Sequence, residues 1–235
     1  MINRIRYIIR KQDKELLKVT VGCNHSWYGN KHAGFFICPD LLDSHSVVYS
    51  FGIGEDISFD QAVIENHGCT VCGFDPTPKS VNWINGLSPD NNFRFFDFGI
   101  SEKSGPVEFF LPKNPDHVSG SLLAQSNVDT MRKVRVEMKS LPDIMTQLGH
   151  DHIDVLKMDI EGAEYGVLAH ILKQKLRIGQ ILVEFHDRFF DKGTRLSEKT
   201  IKALEKNGYR IFAVSGTKEE VSFIHRRELK RIEAK

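Results

Sequence analysis

The chain contains 235 residues, a length that suits one domain with a substantial hydrophobic core. Its 32 Lys and Arg residues nearly balance its 31 Asp and Glu residues, and the net charge of +1 argues against a broad nucleic-acid-binding surface, which needs clustered positive charge. No apolar stretch approaches the ~18 residues of a membrane-spanning helix. We therefore expect no nucleic-acid partner and no integral membrane segment.

Residues 1–40 are predicted to form an N-terminal helix and a lid or wall segment, ahead of a domain at residues 41–235. Residues 1–18 are predicted to form a surface helix, because they lack the long apolar region and cleavage site of a signal peptide. The stretch that follows mixes polar and aromatic side chains, and two interpretations remain open. It is either a wall beside a binding site, or a hairpin whose Trp27 and Tyr28 pack on a sheet.

The most informative stretch spans residues 47–78. The apolar run VVYSF predicts a buried strand that ends in the turn Gly52-Ile53-Gly54, where glycines allow positive φ and close approach to a ligand. A helix over residues 57–66 and a second apolar run, residues 70–74, follow, and this run ends at Asp75. Strand, glycine turn, helix, strand and acid in this order are typical of a nucleotide-binding half-unit, although the third glycine of GxGxxG is absent.

The cysteines favour a structural role. Cys69 and Cys72 have the spacing of half a zinc site, but no second CxxC or CxxH follows at ligand spacing. Cys72 falls within a predicted strand, where a small buried side chain is its common role. Reduced thiols, and with them a cytoplasmic location, fit this pattern.

The next elements add an acid and aromatic rings. A short helix is predicted over residues 80–87, with Ser80 as its N-cap. Residues 93–100 predict a third strand that ends near Asp97 and Phe98. A carboxylate beside an aromatic ring suits a purine base, and an aromatic core strand with one turn acid is the alternative. Short edge strands are predicted at residues 107–111 and 134–140.

A second informative stretch is IDVLKMDIEGAE, residues 153–164. Its apolar run ends at Asp159, and Glu161 and Glu164 lead into a helix. Carboxylates at the carboxyl end of a parallel strand lie where open α/β sheets bind ligands. There they orient a hydroxyl, accept its proton or hold a divalent cation, whereas a favourable interaction with the helix dipole is the simpler role for the two glutamates.

The last third of the chain supplies a histidine and a hairpin. An apolar run at residues 180–185 leads to His186, whose ordinary pKa suits a general base, with a structural hydrogen-bond donor as the alternative. Ser197 is predicted to cap the helix that follows. Two apolar runs, residues 209–214 and 221–224, are joined by a short polar link, so they must pair antiparallel.

Together these motifs resemble the FkbM-type S-adenosylmethionine-dependent methyltransferases over roughly residues 29–224. YSFGIGEDISFD is similar to the family's glycine loop, GFDPTP to its ribose-binding strand end, LKMDIEGAE to its hallmark strand-four motif and ILVEFH to its strand-five end. HAGFFICPD resembles an altered DGGY segment of some saccharide-associated members. The sequence departs from the family at Ser50, which replaces the usual acid before the first glycine, and at His32-Ala33, which replaces the DG pair.

The resemblance implies a Rossmann-like class I methyltransferase fold: an α/β fold whose mostly parallel seven-stranded sheet has one antiparallel strand and helices on both faces. It also implies S-adenosylmethionine as cofactor and S-adenosylhomocysteine as product. The implied cofactor contacts are Gly52, Ile53, Gly54 and Glu55 for the methionine part, Asp75 for the ribose, Asp97 and Phe98 for the adenine, and Asp159 beside the methyl group.

By this resemblance we expect an O-methyltransferase that acts on a hydroxyl of a sugar, a glycan precursor or a similar polyhydroxylated metabolite. Such an enzyme must align the acceptor oxygen with the methyl group and remove a proton from the hydroxyl. His186 or Asp159, aided by Glu161, is the predicted base. A divalent metal at Asp159 and Glu161 is the less favoured arrangement.

Two other functions share parts of this pattern. An NAD-dependent oxidoreductase has the same half-unit but lacks the closing hairpin and the KMDIEGAE motif. A catalytically silent module would bind the cofactor without turnover. The sequence leaves the oligomeric state open, and a homodimer is compatible with it.

Overall fold

The structure of the protein is a computed structural model that describes residues 17–113, 120–121 and 128–233. The helix predicted over residues 1–18 lies almost entirely outside these residues. Among the described helices, none is long and apolar enough to cross a membrane.

The described part of the chain forms strands, α-helices and two short 3₁₀ helices, at Pro39–Leu41 and Asp187–Phe189. The strands are β1 (Ser26–Tyr28), β2 (Phe35–Ile37), β3 (Val47–Phe51), β4 (Thr70–Phe74), β5 (Phe93–Phe96), β6 (Gly99–Ile100), β7 (Gly105–Pro112), β8 (Val128–Lys139), β9 (Ile153–Met158), β10 (Ile178–Glu184), β11 (Tyr209–Val214) and β12 (Glu220–His225). The helices are α1 (Ser58–His67), α2 (Pro78–Asn85), α3 (Leu141–Leu148), α4 (Glu164–Gln174), α5 (Gly193–Lys206) and α6 (Arg226–Glu233).

The centre of the fold is a seven-stranded sheet with the strand order β11-β12-β10-β9-β3-β4-β5. β3 pairs in parallel with β4 and β9, β4 with β5, and β9 with β10. β12 runs antiparallel to both of its neighbours, β10 and β11. The predicted C-terminal hairpin is therefore confirmed, and so is the mostly parallel sheet with one antiparallel strand.

Each face of this sheet carries its own hydrophobic core. Tyr49, Leu156 and Ile181 pack on one face with α3, α4 and α5. Their neighbours in the sequence, such as Val48 and Leu182, pack on the other face with α1, α2, α6 and the β1–β2 hairpin. Strands that are buried on both faces consist of nearly continuous apolar residues, which explains the runs VVYSF and ILVEF.

Two predicted helix starts are wrong. Helix α2 begins at Pro78, because proline's fixed φ suits the first helical position, and Ser80 lies inside the helix with its Oγ 2.7 Å from Thr77 Oγ1. Helix α5 begins at Gly193, so Ser197 lies in its second turn. Its Oγ is 3.1 Å from the Tyr165 hydroxyl instead of capping the helix.

The strand predicted at residues 93–100 is divided, because its two parts belong to different sheets. β5 pairs with β4 at the edge of the large sheet, whereas β6 pairs with β8 in a three-stranded sheet of order β6-β8-β7. We call this second sheet the ribbon. Its strands β7 and β8 pair antiparallel from Gly105–Met138 to Pro112–Val128, and are longer than the predicted edge strands.

The stretch before β3 contains a hairpin formed by β1 and β2, one of the two interpretations left open above. Its end is fastened to the sheet by the buried side chain of Gln180 on β10. The Gln180 amide accepts a hydrogen bond from Cys38 N at 2.8 Å and donates one to Cys38 O at 3.1 Å. One side chain thus satisfies both polar groups of a buried backbone unit.

We expect the replacement Gln180→Met to lower the free energy of unfolding by about 2–4 kcal/mol, because it leaves the buried N–H and C=O of Cys38 without partners. Urea unfolding followed by circular dichroism measures the change. Gln147→Met is the matched control, since Gln147 is exposed and should change stability by no more than about 0.5 kcal/mol. Equal losses in the two variants would contradict the role assigned to Gln180.

Candidate functional site

A cavity lies at the carboxyl ends of the adjacent parallel strands β3, β4 and β9. One side is formed by the glycine turn and by the residues that follow β4, and the opposite side by the turn that follows β9. Ala33 of the hairpin turn, and Phe109 and Gly120 at the ribbon, also line the cavity. Both features that the sequence singled out, the glycine turn and the acidic turn, therefore meet in one cavity.

Gly52 is required by a close approach between two strand ends. Its φ is +81°, and a Cβ at this position would lie 1.7 Å from the carbonyl oxygen of Asp159. The amide of Asp159 in turn donates to Phe51 O at 3.0 Å. Gly54 has a φ of +59°. Any side chain at position 52 would separate the glycine turn from the turn after β9.

A buried lysine forms a hydrogen bond with the backbone of the glycine turn. Lys157, 3% exposed near the carboxyl end of β9, donates from Nζ to Gly52 O at 2.9 Å. Asp60 of α1 is also buried; burial raises the pKa of its carboxyl, and the charge of Lys157 opposes that rise. Neither Lys157 nor Asp60 was among the residues predicted for the site. In the sequence, both could have been recognised as charged residues at positions expected to be buried. Lys157 lies within an apolar strand, and Asp60 lies on the buried face of a helix.

Asp75 lines the cavity at the end of β4 and is 5% exposed. Its Oδ2 accepts a hydrogen bond from Gly54 N at 2.9 Å, and its Oδ1 accepts from the amide of Thr77 at 2.9 Å and from Thr77 Oγ1 at 2.6 Å. Burial raises the pKa of Asp75, while these hydrogen bonds lower it. These hydrogen bonds fix the orientation of the Asp75 carboxylate at the wall of the cavity.

Six of the predicted cofactor residues line this cavity, and two do not. Those that line it are Gly52, Ile53, Gly54, Glu55, Asp75 and Asp159. Asp97 is exposed between β5 and β6, and Phe98 is buried in the core, 5.5 Å from the Phe74 ring. Gly99 and Ile100 line the cavity at this edge. The assignment of Asp97 and Phe98 to adenine therefore stays a prediction.

The turn after β9 holds two carboxylates at the cavity. Asp159 and Glu161 both line it, with side chains 25% and 19% exposed. Glu161 has a φ of +52°, an uncommon conformation for a residue with a side chain. Backbone strain of this kind is concentrated at functional sites, and the Glu161 carboxylate lies 3.5 Å from the His186 imidazole.

Glu164 lies behind this turn and is fully buried. Its Oε2 accepts from Gly162 N at 2.8 Å, and its Oε1 accepts from the backbone amide of His186 at 2.8 Å. One carboxylate therefore joins the turn after β9 to the residue that follows β10. Its role is to position both, because it does not line the cavity.

Four carboxylates lie within 3.5 Å of the His186 imidazole. Its Nε2 is 3.5 Å from Asp159 Oδ1, 3.5 Å from Glu161 Oε2 and 3.3 Å from Glu184 Oε1. Its Nδ1 is 3.4 Å from Glu164 Oε1. The structure thus brings together the three predicted catalytic residues, His186, Asp159 and Glu161, and adds Glu184 from the end of β10.

The environment of His186 does not suit a neutral base. Its side chain is 1% exposed. Burial by itself lowers the pKa of the imidazole, but the surrounding carboxylates, Glu164 first, raise it to about 10. This rise in pKa favours the protonated imidazole over the neutral form that a base requires, and the assignment of His186 as the base stays a prediction. Burial raises the pKa of Glu184 to about 8, and the charge of Asp159 adds to this rise.

The hairpin turn lies over the glycine turn and so is also part of the site. Asn30 donates from its side chain to Asp56 and from its backbone to Ser58 Oγ at 2.9 Å. Its Oδ1 accepts from the amides of His32 and Ala33. Both interpretations of this stretch therefore apply, because the hairpin covers the sheet and its turn contributes Ala33 to the cavity.

Comparisons with known proteins identify relatives of this chain. The chain is 27% identical over 195 residues to the human protein named "Probable methyltransferase-like protein 24", covering 76% of this chain and 45% of that protein. It is 27% identical over 129 residues to the 2-O-methyltransferase NoeI of Sinorhizobium fredii, covering 49% of this chain and 53% of that protein. The chain thus spans about half the length of these curated relatives.

Among solved structures, methyltransferase FkbM from Methylobacillus flagellatus aligns with a TM-score of 0.48 and 14% identity, over 81% of this chain and 47% of that chain. A family profile described as the methyltransferase FkbM domain matches residues 46–211, a range that contains β3 to β10 and both turns of the cavity. Because this match covers most of the chain, the protein belongs to the FkbM methyltransferase domain family.

Proposed function

We propose that the chain binds S-adenosylmethionine in the cavity and transfers its methyl group to a hydroxyl oxygen of a sugar, a glycan precursor or a similar polyhydroxylated metabolite. One observation carries the proposal. A single cavity has a glycine turn and a fixed acid, Asp75, on one side, and the carboxylates of Asp159 and Glu161 on the other.

The first side suits the cofactor. The glycine turn lets the backbone come close to a ligand, and Asp75 presents a carboxylate at the end of the neighbouring strand, where ribose hydroxyls bind in nucleotide-binding sheets. Ile53 and Ile100 add apolar surface to the lining. Family membership favours methyl transfer over the NAD-dependent oxidoreductase considered above.

The second side suits a hydroxylated acceptor. Carboxylates accept hydrogen bonds from hydroxyl groups, and a polyhydroxylated molecule offers several such donors to Asp159 and Glu161. The relative named as a 2-O-methyltransferase supports oxygen as the atom that receives the methyl group. The saccharide class rests on the resemblance to saccharide-associated members of the family.

The transfer is a displacement at the methyl carbon. A lone pair of the acceptor oxygen forms the C–O bond, the C–S bond breaks, and its electrons stay on sulfur as S-adenosylhomocysteine forms. The hydroxyl proton passes to Asp159 or Glu161, the carboxylates at the cavity. Alignment supplies much of the rate, because the fixed turns hold donor and acceptor in line.

Calorimetric titration with S-adenosylmethionine and S-adenosylhomocysteine tests the cofactor. We expect both to bind, and Asp75→Asn to weaken both at least tenfold, because a neutral amide accepts hydrogen bonds from ribose hydroxyls less strongly than a carboxylate. Asp151→Asn is the control, since Asp151 is exposed and precedes β9 at the other end of that strand. Absence of heat with both ligands in a folded sample would refute the proposed cofactor.

Glu161→Gln tests the acceptor side. Turnover is measured as transfer of labelled methyl groups from S-adenosylmethionine to a panel of mono- and oligosaccharides. We expect the variant to lose at least about 100-fold in kcat, the scale of general base catalysis, while its cofactor affinity changes less than about threefold.

Glu65→Gln serves as the control for this experiment, because Glu65 is exposed on α1. Unchanged turnover in Glu161→Gln would remove Glu161 from the proposed mechanism. Cofactor binding by the unaltered chain without transfer to any hydroxylated acceptor would favour the catalytically silent module.

A further inference from the structure

A group of side chains with the composition of a metal site adjoins the acidic side of the cavity, and Asp159 is the member that lines it. Asp159 follows β9, Glu184 ends the adjacent strand β10, and His186 follows it. Each offers one ligand atom, and these atoms all lie within 4.8 Å of one another. Adjacent parallel strands thus deliver two carboxylates and one imidazole to the same point.

The two distances from the imidazole to the carboxylates of this group match those of ligands around a shared ion. His186 Nε2 is 3.5 Å from Asp159 Oδ1 and 3.3 Å from Glu184 Oε1. Charge-assisted N–H···O hydrogen bonds are shorter, about 2.7–2.9 Å. Two ligands that are each about 2.1 Å from a tetrahedral ion lie about 3.4 Å apart. The spacing therefore fits coordination better than direct hydrogen bonding.

The imidazole itself is the second, independent observation. Its side chain is 1% exposed, and its Nε2 has no hydrogen-bond partner although it faces Asp159 and Glu184. On the other side of the ring, Glu164 Oε1 lies 3.4 Å from Nδ1. Neither ring nitrogen has a hydrogen-bond partner within the described residues, although carboxylates lie on both sides of the ring.

We propose that Asp159, Glu184 and His186 bind a divalent transition-metal cation of the zinc type, with a fourth coordination position toward the cavity. Three protein ligands and one open position are typical of catalytic sites, whereas structural zinc sites are closed. Asp159 lines the cavity and His186 is buried behind it, so the open position faces the proposed acceptor. The statement that the metal faces the acceptor rests on the proposed function, whereas the metal-binding site itself does not.

The local charge also favours a dication. Asp159, Glu161, Glu164 and Glu184 surround one imidazole, and the nearby cation Arg188 is shared between Glu184 and Glu219, at 3.2 Å from each. A dication offsets the excess of negative charge.

Zinc titration by calorimetry, after removal of metals with EDTA, tests the site. We expect one Zn²⁺ ion per chain at this site, at least tenfold weaker binding in His186→Gln and in Glu184→Gln, and weaker binding of Mg²⁺, which prefers octahedral oxygen ligands. His152→Gln is the matched control. His152 also lies between two carboxylates, 2.7 Å from Asp151 and 3.4 Å from Asp154, but it is partly exposed, and its loss should leave zinc affinity unchanged.

Cys23→Ser is included because thiols also bind zinc, and it should retain the site. Zinc should raise the Tm of the wild type more than that of Glu184→Gln, a measurement that remains useful if His186→Gln fails to fold. Zinc affinity within twofold of wild type in folded His186→Gln or Glu184→Gln, or no zinc binding by the wild type, would overturn the proposal. Titration of the same samples with S-adenosylmethionine measures cofactor binding separately. Loss of zinc binding can therefore be distinguished from loss of cofactor binding.

Discussion

The contact of Gly52 with the backbone of Asp159 determines how the two halves of the site meet. β3 and β9 are neighbours at the centre of the sheet, and a Cβ at residue 52 would lie 1.7 Å from the Asp159 carbonyl oxygen. The absence of a side chain therefore brings the turn that suits a cofactor against the turn that carries the carboxylates. In-line displacement requires this proximity, because donor and acceptor must approach within bonding distance.

Each of these turns is supported from inside by a buried charged side chain. Lys157 donates to the carbonyl of Gly52, and Glu164 accepts from the amides of Gly162 and His186. Buried charges are tolerated only when they are paired or hydrogen-bonded, so the two residues gain their partners only when the turns are in place. The folded sheet therefore presents the cavity with little freedom left in its backbone.

The sequence predicted those parts of the site that depend only on which residues follow one another along the chain. Asp75 and Asp159 could be found because a carboxylate after an apolar run marks a strand end, and both line the cavity. Lys157 and Glu184 were missed because their roles depend on which strands become neighbours. The pKa of His186 could not be anticipated, since three of the carboxylates that raise it, Glu164, Asp159 and Glu161, come from another strand end. The division of residues 93–100 likewise depends on pairing with β8, a distant strand.

The ribbon joins the large sheet through the short link between β5 and β6, yet Phe109 and Gly120 of this region form part of the cavity wall. Its small apolar core, Phe109, Val136 and Met138, is separate from the two cores of the sheet. Substitutions at Phe109 can therefore reshape the wall without disturbing the two cores of the sheet, whereas Ile100 of β6 belongs to one of those cores. Evolution, or an engineer, could alter the preferred acceptor in this element while the cofactor side stays constant.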